Sequence, residues 1–156
     1  MKLLGIDAGK SGSVALLDTD SKRTFIEDTV IEDDGSLDCR WFSDRLLEWE
    51  PVAAIIEAVY KPNSLVEMKG EFKGVCKTLN IPIRSVAIVS WKTLVIGQNT
   101  SDKKRSIECA QRLYPQADLI RLSPKQQKPV LNADRAEALL LAHYMQQLLC
   151  PTTNGS

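Results

Sequence analysis

Lys2-Leu3-Leu4-Gly5-Ile6-Asp7, then Ala8-Gly9-Lys10-Ser11-Gly12, then Ser13-Val14-Ala15-Leu16-Leu17 is the stretch on which the fold turns. Two short apolar runs flank a cluster of turn residues, the pattern of a β-hairpin. A third strand of mixed polarity follows at Arg23–Val30, so the chain opens as a meander. The acidic stretch Glu32–Asp38 reads as a loop. Asp38 is placed to cap a helix carrying Trp41, Phe42, Leu46 and Trp49 on one side, with Pro51 ending it. Val52–Ile56 is a continuous buried-strand run that stops at Glu57.

Strands and helices alternate from there. Ser64–Leu79 is a helix, with Ser64 and Glu67 spaced as a capping box and Leu65, Met68, Phe72, Val75, Cys76 and Leu79 forming its apolar stripe. Ile83–Val89 is a strand, Ser90–Leu94 opens a short helix, and Thr100–Tyr114 is helical. Pro115–Val130 is a polar loop. Asn132–Leu149 is the last helix, and residues 151–156 form a disordered tail. A meander followed by alternating strands and helices defines an α/β chain with a mixed sheet. At 156 residues the length fits one domain, here residues 1–150.

Composition sharpens the class. Hydrophobic residues make up 44% and charged residues 26%, which excludes disorder, collagen and coiled coil. No apolar run approaches the roughly 20 residues of a membrane span, so no membrane partner is expected. Cys39, Cys76, Cys109 and Cys150 are widely spaced and the chain holds one His. Neither a zinc site nor a disulfide framework follows; four reduced cysteines in a cytoplasmic protein are expected. Twenty basic and twenty acidic residues cancel, but the halves differ. Residues 1–59 carry 13 acids against 6 bases, and residues 60–156 carry 7 acids against 14 bases. Such asymmetry hints at a charged partner.

The last helix carries the chemistry. At about 100° per residue, Glu137, Ala138, Leu141 and Met145 all fall within about 60° of Asp134. Both acids head an apolar stripe and are aimed inward. A helix start also favours acids through its dipole, so on this helix alone both readings stand. Asp7 and Glu57 tip the balance, because each terminates an apolar strand and strand ends are where α/β sites form. Four carboxylates without a His or Cys set suit hard cations such as Mg²⁺ or Mn²⁺. Crowded in this way they match the paired-metal clamp of phosphodiester displacement. The residues point to metal-dependent phosphoryl transfer to water.

Gly5-Ile6-Asp7-Ala8-Gly9, Ile55-Ile56-Glu57 and Asn132-Ala133-Asp134-Arg135-Ala136-Glu137-Ala138-Leu139-Leu140 resemble the RuvC-type Holliday junction resolvases. Gly70–Val75, Ile81-Pro82, Trp91-Lys92, Asp102-Lys103 and Leu113-Tyr114-Pro115 are similar to that family in the same order, so the resemblance spans residues 2–147. The Arg-Ala-Glu-Ala-Leu-Leu run is nearer the phage and organellar branches, the bacterial pattern more often having Asp where Glu137 stands. The resemblance implies an RNase H-like fold with a five-stranded mixed sheet flanked by helices. It implies a homodimer that nicks opposing strands of a four-way DNA junction, leaving 5′-phosphates, in recombination and repair. The compartment expected is the cytoplasm, that of the host cell if the gene is a phage's. The implied site is Asp7, Glu57, Asp134 and Glu137 holding two Mg²⁺ ions, with Mn²⁺ as an alternative, and Lys103 beside a phosphate as a fifth catalytic group.

Lys10, Tyr60, Lys61, Lys69, Lys73, Lys77, Lys92, Lys104 and Arg105 are the candidate DNA contacts. Tyr60 stands where relatives place an aromatic that stacks on an unpaired base; a half-buried strand-end aromatic is the other reading. Lys69, Lys73 and Lys77 recur every four residues as a ridge that follows a phosphate backbone or merely faces solvent. Gly70 and Gly74 leave a flat helix side for a dimer contact or for packing within the subunit. His143 lies on the far side of the last helix from Asp134, as a surface or interface residue rather than a metal ligand. Another RNase H-like nuclease and a non-catalytic junction binder are the competing readings. An actin-like ATPase, raised by the Gly5–Gly12 hairpin, needs two such domains.

Overall fold

The computed structural model describes residues 1–123, 125 and 127–151; the expected tail, apart from Pro151, lies outside them. Three strands lead, β1 (Lys2–Asp7), β2 (Ser13–Asp18) and β3 (Thr24–Asp28), followed by helix α1 (Cys39–Trp49), β4 (Ala53–Glu57) and α2 (Asn63–Thr78). Then come β5 (Ile83–Val86), α3 (Ile88–Ile96), α4 (Lys103–Leu113), β6 (Ile120–Leu122), β7 (Pro129–Leu131) and α5 (Ala133–Leu149). The main sheet has the order β3-β2-β1-β4-β5. β1 pairs antiparallel with β2 and parallel with β4, and β4 pairs parallel with β5. The expected five-stranded mixed sheet is present.

Alternation along the strands sends successive side chains to opposite faces, and each face has its own core. Leu4, Ile6, Val14, Leu16, Ala54 and Ile56 pack on α1 and α2 through Phe42, Leu46, Trp49, Met68, Phe72 and Cys76. Phe42 and Phe72 meet edge-on, with ring centroids 4.8 Å apart, the favoured geometry for an aromatic pair. Leu3, Ala15, Leu17 and Ile55 pack on the other side beneath α3, α4 and α5, with Trp91, Ala110, Ala138 and Leu141 fully buried. With both faces covered, the central strands read as unbroken apolar runs.

Gly5 fixes how closely α5 lies on the sheet. A β-carbon there would stand 1.9 Å from the carbonyl oxygen of Ala138 and 2.6 Å from the nitrogen of Ala142. Only a residue without a side chain lets the helix seat on β1. Gly12 closes the β1–β2 turn in the same way, with an added β-carbon 2.1 Å from the carbonyl oxygen of Asp7.

Some expectations need correction. Ser64 and Glu67 form no capping box: α2 begins one residue earlier, behind Pro62, without a side-chain cap bond. The polar loop expected over Pro115–Val130 contains the paired strands β6 and β7. Their three-residue length and mixed composition hide any alternation. β5 stops at Val86 because Ile88–Val89 already belong to α3. Asp38 caps α1 as expected, accepting from the backbone N–H of Trp41 at 2.9 Å.

Candidate active site

Parity along the strands aims the first two acids. Asp7 follows Leu3 and Gly5 on the α5 face of β1, and Glu57 follows Ala53 and Ile55 on the same face of the adjacent β4. The parallel register Ile6↔Ile56 sets the two strand ends side by side. Asn132 caps α5 by accepting from the N–H of Arg135 at 3.0 Å, so the helix starts above this edge. Gly5 draws it in, and Asp134 and Glu137 in its first turns complete the group.

Asp7 and Glu57 feel the neighbouring acids. Burial is the largest cause holding the Asp7 carboxyl well above the usual carboxylate range, and Glu137, Asp134 and Glu57 push it the same way. Glu57 is raised too, by burial and by Glu137, against the opposing hydrogen bond from Trp91. A cleft of about 360 Å³ opens at this edge, lined by Asp7, the β1–β2 turn, Pro62, Ser64, Leu65 and Asp134.

Donors and cations surround the carboxylates. Trp91, fully buried, donates its indole N–H to Glu57 Oε2 at 2.9 Å. Lys92 Nζ and Ser106 Oγ each reach Glu137 Oε1 at 2.8 Å. Lys103 Nζ lies 3.2 Å from Asp134 Oδ1, and Arg121 Nη1 lies 3.5 Å from Asp134 Oδ2. Lys103 is held above its ordinary value, chiefly by Asp134, with smaller contributions from Glu137 and Asp7. All five expected catalytic residues therefore share one site.

Turned toward these donors, the acids are not gathered as a ready-made cage: among the described residues, no three His, Cys, Asp or Glu groups are close enough together to hold a metal ion. The chemistry of the set still fits a hard cation. Asp7 is buried and repelled by Glu137, Asp134 and Glu57, with Lys103 as the smallest, opposing influence, and carboxylates are the ligands such ions prefer.

The expected DNA contacts fall into three groups. Lys10 lines the cleft and is exposed, Lys61 is exposed next to Pro62 of the cleft wall, and Tyr60 is 80% exposed, rather than half-buried, with Lys69 Nζ 5.6 Å from its ring centroid. Lys69, Lys73 and Lys77 recur every four residues along α2 and so share one side of it, where burial first and the two neighbouring lysines second lower the Lys73 ammonium. Lys104 and Arg105 are exposed on α4 and pair locally with Glu108 and Asp102. Lys92 does not stand at a DNA surface. It is 4% exposed, because the α3 stripe that buries Trp91 carries its ammonium inward to Glu137 and the carbonyl oxygen of Thr100. His143 is half-buried away from the carboxylates, its Nδ1 2.7 Å from the Tyr114 hydroxyl and Gln147 Nε2 3.2 Å from its Nε2.

Three site residues escape sequence reasoning. Ser106 is a polar residue in the otherwise apolar stripe Cys109, Ala110 and Leu113 of α4, which is a usable signal. Trp91 reads simply as core. Arg121 sits in a stretch that reads as loop. It donates to the backbone oxygens of Ser11 and Gly12 and to Asp28 at 2.7, 3.1 and 2.8 Å. Arg135 joins it on Asp28 at 2.7 Å.

No protein-family model matches the sequence. No curated protein matches it either. Solved structures do match. Thermus thermophilus RuvC in complex with a Holliday junction substrate superposes with a TM-score of 0.67 at 14% identity, over 95% of this chain and 96% of that one. The fowlpox virus resolvase bound to Holliday junction DNA gives 0.58 at 16% identity, over 94% and 99%. The yeast mitochondrial Holliday junction resolvase gives 0.56 at 12% identity, over 91% and 76%. The chain therefore shares, over nearly its whole length, the mixed α/β fold of these resolvase structures.

Proposed function

We propose that this chain is a metal-dependent endodeoxyribonuclease that resolves four-way DNA junctions. The observation that carries the reading is the convergence of Asp7, Glu57, Asp134 and Glu137 at one sheet edge, in a fold whose structural neighbours are junction resolvases, two of them in complex with junction DNA. The four carboxylates would hold two Mg²⁺ ions, with Mn²⁺ as a substitute. Ions of this kind lower the pKa of a bound water and stabilise a leaving oxygen. The chain's own groups do the rest. Asp7 and Glu57, on adjacent strands, give the site a rigid floor. Lys103 is free to swing from Asp134 to a phosphate oxygen, its side chain being 69% exposed. Lys92 and Ser106 hold Glu137 in one orientation.

Lys10 on the cleft wall would take a backbone phosphate there, and Lys61 with the Lys69, Lys73 and Lys77 side of α2 would take phosphates of the arms beyond it. Tyr60, exposed beyond Glu57, has a ring face available for stacking on an unpaired base. A homodimer would present two such sites to opposing strands, and cleavage would leave 5′-phosphates. Residues 1–150 act as one nuclease domain in this reading. Two exposed and two buried cysteines, all free, accord with a cytoplasmic setting, and no helix among the described residues is long and apolar enough to cross a membrane.

The test is a synthetic junction with labelled arms, incubated with Mg²⁺ or with EDTA. Paired symmetric nicks that need the metal and vanish in Asp7→Asn support the reading. An uncut junction, with cleavage of RNA–DNA hybrid instead, overturns it in favour of another RNase H-like nuclease.

A further inference from the structure

The β6–β7 hairpin has an inner face fastened to the site and an outer face that the proposed reaction does not use. Its register is Ile120↔Leu131, Arg121↔Val130 and Leu122↔Pro129. Alternation places Arg121 and Val130 on one face, and Ile120, Leu122, Pro129 and Leu131 on the other. Arg121 anchors the inner face: it bonds the β1–β2 turn, Ser13 Oγ at 2.9 Å and Asp28, and pairs with Asp134. The N–H of Asn132 donates to the carbonyl oxygen of Leu119 at 2.8 Å, closing the hairpin's base where α5 starts. The hairpin is therefore braced against the same helix turn that carries the catalytic acids.

Its outer face is apolar and open, with Ile120 51%, Leu122 57% and Leu131 47% exposed. Lys125 and Lys128 are exposed beyond the strand ends. A two-stranded ribbon with an uncovered apolar face calls for a partner. Charge selects which one. A second copy seated here would bring lysine-bearing tips of like sign together, whereas a polyanion is attracted to them. The root of the hairpin on Asp134 puts that polyanion beside the phosphate to be cut.

We propose that the β6–β7 hairpin is a DNA-docking element of the nuclease site. Lys125 and Lys128 take phosphates flanking the scissile one, and Ile120 and Leu122 lie against the sugar and base edges bared where junction arms part. Apolar side chains placed against opened base steps are a recurrent device of DNA-deforming proteins. The proposal rests on the junction-nuclease reading and adds to it the element that grips the flanking strand.

The experiment measures binding by fluorescence anisotropy on the full chain carrying Asp7→Asn, with a labelled synthetic junction and a linear duplex across a salt series. Lys125→Ala/Lys128→Ala is expected to weaken junction binding about tenfold and to flatten the dependence of log K on log salt by about 1.8, or roughly 0.9 per lost phosphate contact. Leu122→Ser is expected to weaken junction binding while leaving that slope and the linear-duplex affinity unchanged. Both variants change exposed residues, and thermal unfolding confirms that they fold. Unchanged affinity and slope in the lysine variant overturn the hairpin proposal while junction binding by the parent keeps the nuclease reading intact. A fall in molecular mass of Leu122→Ser by light scattering makes the face a subunit contact and overturns it too. A parent that does not bind junctions overturns both.

Discussion

Lys92 Nζ and Glu137 Oε1 stand 2.8 Å apart with side chains 5% and 12% exposed, a charge pair sealed between α3 and α5. Removing one member of such a pair strands the other. Lys92→Met is expected to destabilise the metal-free protein by about 3–5 kcal/mol, and Lys92→Met/Glu137→Gln by much less, because the double change removes both charges. Urea unfolding in EDTA of the wild type, the two single variants and the double variant checks this. Additive losses in that cycle would mean that the pair is not coupled.

The seat of α5 on Gly5 makes a second expectation. Gly5→Ala sets a methyl group against the backbone of Ala138, which no side-chain rotation relieves. Overpacking of this kind costs about 1–3 kcal/mol or more. For a chain of this length that is a fall in Tm of roughly 2–4 °C per kcal/mol. Because α5 carries Asp134 and Glu137, junction cleavage is expected to fall further than the remaining folded fraction explains. Calorimetry beside a cleavage assay separates the two effects.

The acids at this edge were legible because strand-end position and helical phase are both local patterns. Asp7 and Glu57 close apolar runs, and Asp134 and Glu137 share the core-facing stripe of α5, so no long-range information was needed to bring them together. The cations paired with them were not legible in the same way. Lys92 reads as a surface base because nothing adjacent in the chain announces that α3 packs its basic residue toward Glu137. Arg121 belongs to a strand of three residues, too short for periodicity to register, and its partners Ser11, Gly12 and Asp28 are far from it in sequence. Ser64 and Glu67 show the opposite failure: the spacing of a capping box is present, but Pro62 starts the helix earlier and leaves Ser64 inside the first turn.

His143 gives a pH dependence of known sign. Burial, and secondarily Lys22, hold its imidazole below the ordinary value of 6.5. The unfolded chain therefore takes up the proton more readily than the folded one, and stability falls as pH drops through about 6.5 toward the lower folded-state value. Above that window the neutral ring keeps its contacts with Tyr114 and Gln147. Urea midpoints from pH 7.5 to 5.5 are expected to decline more steeply in the wild type than in His143→Gln. Parallel curves would show that the imidazole does not titrate differently on folding.

Asp7 separates stability from function in the opposite direction to most core positions. Its carboxylate is disfavoured by burial and by three neighbouring acids, while its proposed role is to hold a cation. Without metal, Asp7→Asn keeps the shape and removes the repelled charge, so the variant is expected to melt higher than the wild type in EDTA by about 2–4 °C, the shift that roughly 1 kcal/mol gives in a chain of this size. Adding Mg²⁺ is expected to raise the melting point of the wild type, because an ion that binds only the folded state stabilises it by mass action. The same addition should leave Asp7→Asn nearly unmoved. Differential scanning calorimetry with and without Mg²⁺ on both proteins reads the four values at once. A wild type that melts higher than Asp7→Asn in EDTA and ignores Mg²⁺ would show that Asp7 is satisfied by the protein itself, leaving no need for a metal at this edge.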